Sequence, residues 1–95
     1  MKKEQIMEFL KAHKAEMARR FGVRTIGLFG SHARGEATTR SDLDILVEME
    51  QPGFDNYMDL KFYLEENLGM TVDLVLADSL KPRLKPIITR EAAYA

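Results

Sequence analysis

The chain has 95 residues, of which 45% are hydrophobic, and a formal net charge of −1. This length suits one domain with one core, covering residues 1–95, and leaves no room for a second domain of ordinary size. Cysteine is absent, so disulfides and thiolate metal sites are excluded, and any metal would need oxygen or imidazole ligands.

Charge is unevenly distributed along the chain. Residues 1–25 carry seven Lys and Arg against three Asp and Glu, residues 36–78 carry two against eleven, and residues 79–95 carry four against one. We interpret most of these charges as solvated helix faces. The alternative is a carboxylate-rich centre flanked by basic surfaces that attract phosphate or an acidic partner. No basic stripe is long enough to predict direct nucleic-acid binding.

The start of the chain and its hydropathy bear on its location. No apolar run approaches the length of a membrane span. Glu4 and Glu8 interrupt what would otherwise read as a leader sequence. We therefore expect a cytoplasmic protein that does not contact a membrane.

Periodicity and breaker residues predict the secondary structure. The predicted elements, in chain order, are a helix over 3–20, a strand over 23–29, a short helical turn over 31–36, a loop over 37–41, a strand over 42–48, a helix over 54–68, a strand over 71–76 and short helical pieces around 83–92. This order is typical of an α/β or α+β domain in which a small mixed sheet is covered by helices on one face.

Aspartates interrupt the apolar pattern of two predicted strands. Successive strand residues point to opposite faces, so Asp42 and Asp44 should share one face while Ile45 and Val47 turn toward the helices. Asp73 interrupts the last strand in the same way. If these two strands are neighbours, three carboxylates converge. Clustered carboxylates repel one another unless a cation neutralises them, and hard oxygen ligands suit Mg²⁺ or Mn²⁺.

A candidate phosphate site lies upstream, where the first strand ends. Gly30 would let the backbone approach a phosphate closely, and Ser31 adds a hydroxyl beside backbone N–H groups. Arg34 is a third candidate for contacting a nucleotide, with a solvent-facing arginine as an equal alternative. His32 adjoins Ser31, so a contact with phosphate is an alternative, but we interpret it as an incidental position. The chain returns to Asp42 and Asp44, so the phosphate and metal sites should adjoin.

These residues resemble a known family. Gly30-Ser31, ten intervening residues and Asp42-Leu43-Asp44 are similar to the signature of the nucleotidyltransferase superfamily related to DNA polymerase beta. The flanking residues resemble the minimal nucleotidyltransferase branch, and Asp73 stands where that family has its third carboxylate. The resemblance covers roughly residues 20–95. It implies a polymerase-beta-like fold, triphosphate bound by Gly30 and Ser31, and metal bound by the three aspartates.

The resemblance also implies a function. Larger superfamily members hold their acceptor with extra domains, whereas stand-alone minimal members resemble antitoxins paired with HEPN-domain ribonuclease toxins. This implies an enzyme that takes ATP as donor, with Mg²⁺, and attaches AMP to a tyrosine of the toxin. One alternative is a non-catalytic antitoxin that blocks the toxin by complex formation, and another is a small-molecule nucleotidyltransferase. The intact motif favours an enzyme, and the missing acceptor domain disfavours a small-molecule substrate.

Overall fold

The computed structural model describes residues 1–95. The helices are α1 (Lys3–Ala12), α2 (Lys14–Phe21), α3 (Gly30–Arg34), α4 (Phe54–Leu68) and α5 (Lys85–Glu91). The strands are β1 (Val23–Phe29), β2 (Leu43–Met49), β3 (Val72–Leu76) and β4 (Ala93–Tyr94), and a single 3-10 turn covers Ala77–Ser79. No helix is both long and apolar enough to cross a bilayer.

The four strands form one mixed sheet in the order β3-β2-β1-β4. β2 and β3 are parallel, whereas β1 is antiparallel to both β2 and β4. A parallel pair needs a long crossover connection, which α4 supplies between β2 and β3. The predicted class, a small mixed sheet covered by helices, is therefore confirmed.

The core lies on one face of this sheet. Strand residues on that face pack with side chains from the helices in a single buried cluster. Its fully buried members include Ile6 and Leu10 of α1, Met17 of α2, Leu60 and Leu64 of α4, and Ile45 and Val47 of β2. The prediction that the helices cover the face carrying Ile45, Val47, Leu74 and Leu76 is confirmed, although Leu76 is only partly buried. We call the opposite side the outer face.

The predicted single helix over residues 3–20 is wrong in one respect, because it is two helices that meet at His13. The backbone of His13 leaves the helical region, with φ −106° and ψ 7°. Its ring Nδ1 donates a hydrogen bond of 2.9 Å to the carbonyl of Phe9, and the ring stacks on that of Phe9, with centroids 4.1 Å apart. The carbonyl of Phe9 therefore accepts from both the ring and the backbone N–H of His13, and side chains that bond the preceding turn in this way bend helices. The apolar spacing does not reveal the break, since both helices present the same face to the core.

Three smaller differences concern element ends. The predicted turn at 31–36 is helix α3, which begins one residue earlier, at Gly30, and is capped by Gly35 with φ 74°. β2 begins at Leu43, so Asp42 lies just outside the strand and not within it. α5 matches the helical pieces expected around 83–92, but β4 was not predicted. Two residues are too few to carry a period, and β4 exists only through its pairing with Gly27 and Leu28.

We predict that the buried side of α4 stabilises the fold. Leu64 is 0% exposed, and Leu64→Ala should lower the free energy of unfolding by about 2–5 kcal/mol, because it leaves a cavity. Phe62 lies on the same helix but is 53% exposed, so Phe62→Ala should change it by less than about 1 kcal/mol. Denaturant unfolding of both variants measures this. Equal losses would contradict the assignment of the core.

Candidate active site

Two aspartates meet on the outer face where β2 and β3 run side by side. Asp44 and Asp73 are direct partners in the parallel register. Their strand neighbours Leu43, Ile45 and Leu74 point into the core, so the carboxylates point the other way. The alternation of each strand thus brings two negative charges together, away from the apolar core.

Asp44 is the central carboxylate of this group. It is half-buried, whereas Asp42 and Asp73 are exposed. Burial raises the pKa of Asp44 above its ordinary value, and the charge and hydrogen bond of Asp73 raise it further. The charge of Asp42 acts in the same direction, while that of His32 opposes it. All three predicted aspartates therefore lie close enough to influence one protonation equilibrium.

The carboxylates do not by themselves form a finished metal site. No group of three Asp, Glu or His side chains is arranged to hold an ion. The chemistry of the donor set nevertheless fits a hard cation, because the oxygens repel one another and one of them resists ionisation. An ion at Asp42, Asp44 and Asp73 would need further ligands from elsewhere, as Mg²⁺ usually takes from phosphate and water.

Gly30 joins the candidate phosphate site to the carboxylates. It begins α3 directly after β1 and has φ 72°, a left-handed conformation that favours glycine. A Cβ at this position would overlap the carboxylate of Asp44 and lie only 2.9 Å from its Cγ. Only a residue without a side chain lets the β1–α3 backbone approach Asp44 this closely. Ser31 follows in the first turn of α3 and is half-buried.

Arg34 is engaged in ion pairs at the other end of α3. Its guanidinium pairs with Glu36 at 3.3 Å and with Glu91 at the end of α5. Both partners raise the pKa of Arg34. To contact a phosphate, as the sequence suggested, the side chain would have to exchange these partners. In the structure, Arg34 instead links α3 to the C-terminal segment.

His32 is a residue whose setting the sequence pattern did not reveal. It is only 6% exposed, and its Nδ1 is buried without a hydrogen-bond partner. Its charge favours the ionised form of Asp44. The one sequence signal was its position next to Ser31, because a five-residue helix is too short to show which side is buried. A polar nitrogen left unpaired at this depth is uncommon in folded proteins.

The candidate site lies on an open surface and not in the largest cleft. That cleft, of about 640 Å³, lies between the end of α2 and the start of α4 and is lined by residues that include Arg20, Phe54 and Asn56. None of the three aspartates lines it. Since Asp42 and Asp73 are exposed, a large partner can reach the carboxylates directly.

Comparison with known proteins agrees with this geometry. The family profile described as "Nucleotidyltransferase domain" matches residues 10–95. The chain belongs to this nucleotidyltransferase family. The matched range includes the Gly-Ser pair, the Asp-x-Asp pair and the third aspartate. The resemblance inferred from the sequence is therefore confirmed.

Individual relatives support the same family. The protein adenylyltransferase MntA of Thermococcus cleftensis is 49% identical over 96% of this chain and 93% of its own length. A solved structure described as a candidate minimal nucleotidyltransferase is 39% identical, with a TM-score of 0.85 over 98% of this chain and 95% of that chain. One chain of a solved complex of a tri-AMPylated Shewanella oneidensis HEPN toxin with an MNT antitoxin is 21% identical to this chain. Its TM-score is 0.64 over 93% of this chain and 70% of that chain, which shows a shared fold.

We predict that a side chain at position 30 destabilises the fold in two ways: it strains the left-handed backbone, and it overlaps the carboxylate of Asp44. Gly35 has a similar φ of 74°, but a Cβ added there would meet nothing within 4 Å. Gly35→Ala should therefore cost about 1–2 kcal/mol from backbone strain, and Gly30→Ala should cost more. Combining Gly30→Ala with Asp44→Ala should recover part of the excess in a double-mutant cycle measured by unfolding. Strictly additive losses would contradict the proposed overlap.

We further predict that ionised Asp44 destabilises the metal-free protein. A raised pKa means that the folded state holds the proton more tightly than the unfolded chain does. The resulting stability is present at acidic pH and is lost as pH rises through the folded pKa. Asp44→Asn cannot ionise, so it should be more stable than the wild type at about pH 7, and the difference should shrink toward about pH 3.

Unfolding with a chelator present would measure this difference. Asp59→Asn removes the same charge from an exposed position on α4 and should change stability little. An Asp44→Asn variant that is less stable than the wild type at neutral pH would contradict the prediction.

Proposed function

We propose that this chain is an antitoxin that transfers AMP from Mg²⁺–ATP to a tyrosine hydroxyl of a HEPN-domain toxin in the cytoplasm. The observation that carries the proposal is the close approach of Gly30 to Asp44, with Asp73 beside it. The turn to which we assign phosphate binding therefore adjoins the carboxylate cluster, within a nucleotidyltransferase-family domain. A nucleoside triphosphate can contact both at once.

Each part of the site has a role in this proposal. The backbone at Gly30 and the hydroxyl of Ser31 would hold the phosphates of the donor. Asp42, Asp44 and Asp73 would hold Mg²⁺ or Mn²⁺ together with phosphate oxygens, and the ion would neutralise the charge that develops on the phosphates. The raised pKa of Asp44 supports this assignment, since a nearby cation would relieve the repulsion that causes part of it.

The transfer itself is a substitution at phosphorus. The acceptor oxygen forms a bond to the α-phosphorus as the bond to pyrophosphate breaks. Asp73 lies on the β3 side of Asp44, which is the side away from Gly30. We assign it to orient the attacking hydroxyl and to accept its proton. An acceptor would thus approach over β3 while the donor phosphates lie at the end of β1.

The nature of the acceptor is inferred from the open surface and from the relatives. Exposed carboxylates outside a deep cleft suit an acceptor that belongs to a macromolecule. The 49% identical relative is named a protein adenylyltransferase. The more distant complex contains a HEPN toxin that carries three AMP groups. A phosphate-linked group attached near the active site of a ribonuclease would exclude RNA by charge and by volume.

Co-expression with a HEPN toxin tests the proposal. Intact-mass spectrometry of the toxin should show the addition of one or more AMP units with the wild-type chain. Asp42→Asn/Asp44→Asn should abolish this mass shift, because it removes two of the three carboxylates. Asp55→Asn/Asp59→Asn, on the exposed side of α4, removes the same charge away from the site and should leave the shift intact.

The same experiment separates the alternative that the chain neutralises the toxin by binding alone. If the Asp42→Asn/Asp44→Asn variant protected cells fully and the wild type produced no mass shift, the transfer activity would be refuted. The non-catalytic binding module would then replace it.

A further inference from the structure

An aromatic ring lies on the outer face beside the candidate active site. Tyr94 of β4 pairs with Gly27 of β1. A Cβ at Gly27 would lie 3.1 Å from Cδ1 of Tyr94 and 3.1 Å from the carbonyl oxygen of Ala93. The ring therefore occupies the space above Gly27 that a side chain would otherwise fill. Tyr94 remains 43% exposed, so part of the ring faces solvent on the same side of the sheet as Asp44.

The segment that carries this ring is fastened to the rest of the domain. The N–H of Ala95 donates to the carbonyl of Ile26 at 2.9 Å, and Lys14 of α2 donates to the carbonyl of Ala95 at 2.9 Å. Upstream, Glu91 pairs with Arg34 of α3. Three contacts with different elements thus hold the residues on either side of β4 in place, and one of them comes from the helix that begins at the candidate phosphate site.

The order of the strands sets the direction from the aspartates to the ring. Asp73 lies on β3, Asp44 on β2, and Tyr94 on β4, beyond β1. Gly30 follows the end of β1, so the candidate phosphate site lies on the side of Asp44 that faces Tyr94. With strands about 4.8 Å apart and about 3.4 Å per residue, the backbones of Tyr94 and Asp44 are about 12 Å apart. The ring lies over Gly27, on the strand between the two.

The outer face beside the ring is acidic at the end away from Asp44. Leu46 lies opposite Gly27 on this face but is only 1% exposed, so it contributes almost no surface. Glu48 accepts a 2.9 Å hydrogen bond from the hydroxyl of Thr25 and lies two residues beyond Leu46 on β2, on the side away from Asp44. Burial raises the pKa of Tyr94, and the charge of Glu48 raises it further. A nucleotide on this face would keep its phosphates away from Glu48, toward Gly30, and its base against the ring.

We propose that Tyr94 forms the base-stacking part of the nucleotide site and supports the adenine ring of ATP with its exposed face. The proposal rests on the proposed function for the position of the phosphates. Base stacking on aromatic side chains tolerates every base, because each has a flat π-face. Tyr94 therefore contributes affinity for nucleosides and little discrimination among them.

Calorimetric titrations with Mg²⁺–ATP and with Mg²⁺–tripolyphosphate, which has no base, test this inference. Tyr94→Ala should weaken ATP binding by about tenfold, given the usual contribution of one stacked base, and leave tripolyphosphate binding unchanged. Tyr94→Phe keeps the ring and should bind ATP within about twofold of the wild type. Phe62→Ala removes another exposed aromatic ring from α4 and should have no effect on either ligand. Unchanged ATP binding by Tyr94→Ala, or an equal loss for tripolyphosphate, would overturn the proposal.

Photolabelling provides a second measurement that needs no variant. An ATP analogue with an azide on its adenine ring should label the wild-type chain within the tryptic peptide 91–95, which contains Tyr94. Excess ATP should prevent the labelling. Excess tripolyphosphate should also reduce it, because it competes with the analogue for the phosphate site. Labelling confined to other peptides would overturn the proposal even if Tyr94→Ala failed to fold.

These outcomes are distinguishable from failure of the proposed function. Tyr94-dependent ATP binding without any AMP on the toxin would refute the transfer to a HEPN toxin and leave the stacking role intact. Normal AMP transfer with an unchanged KM for ATP in Tyr94→Ala would refute the stacking role alone.

Discussion

The contact between the backbone of Gly30 and the carboxylate of Asp44 is the constraint that organises this molecule. It requires a left-handed backbone at Gly30 and leaves no space for a side chain there. It also requires β1 and β2 to pair in the register that sets Phe29 opposite Asp44. Strand pairing, the turn into α3 and the carboxylate cluster are therefore parts of one arrangement, and a change in any of them displaces the others.

The same arrangement has a cost in stability. Asp44 is half-buried beside Asp73, and both conditions disfavour its charged form. A domain selected for stability alone would not keep three carboxylates on one patch, so the patch is best understood as a site whose repulsion a ligand relieves. The stability comes from the opposite face, where an apolar cluster of strand and helix residues is fully buried. Strand alternation lets one short sheet support both faces.

The C-terminal segment adds a third component to the outer face. β4 extends the sheet beyond β1, and the Arg34–Glu91 pair connects the preceding helix α5 to α3. Donor phosphates at the end of β1, a base above Gly27 and an acceptor approaching over β3 would occupy successive strands without overlapping. A nucleotide bound as proposed would leave the acceptor side, where Asp73 is exposed, open for a protein partner.

The sequence by itself determined the sheet-and-helix class, the three longer strands and the face on which Asp44 and Asp73 lie, because these follow from periods of two and from a motif read over neighbouring residues. It did not reveal the break at His13, the ion pairs of Arg34, the burial of His32 or the strand that carries Tyr94. Each of these depends on contacts with residues distant in the chain or on a segment too short to show a period. The local sequence pattern predicts which face of an element is apolar. Only the tertiary structure decides which hydrogen-bond and ion-pair partners a polar side chain has, and which side chain packs against a glycine.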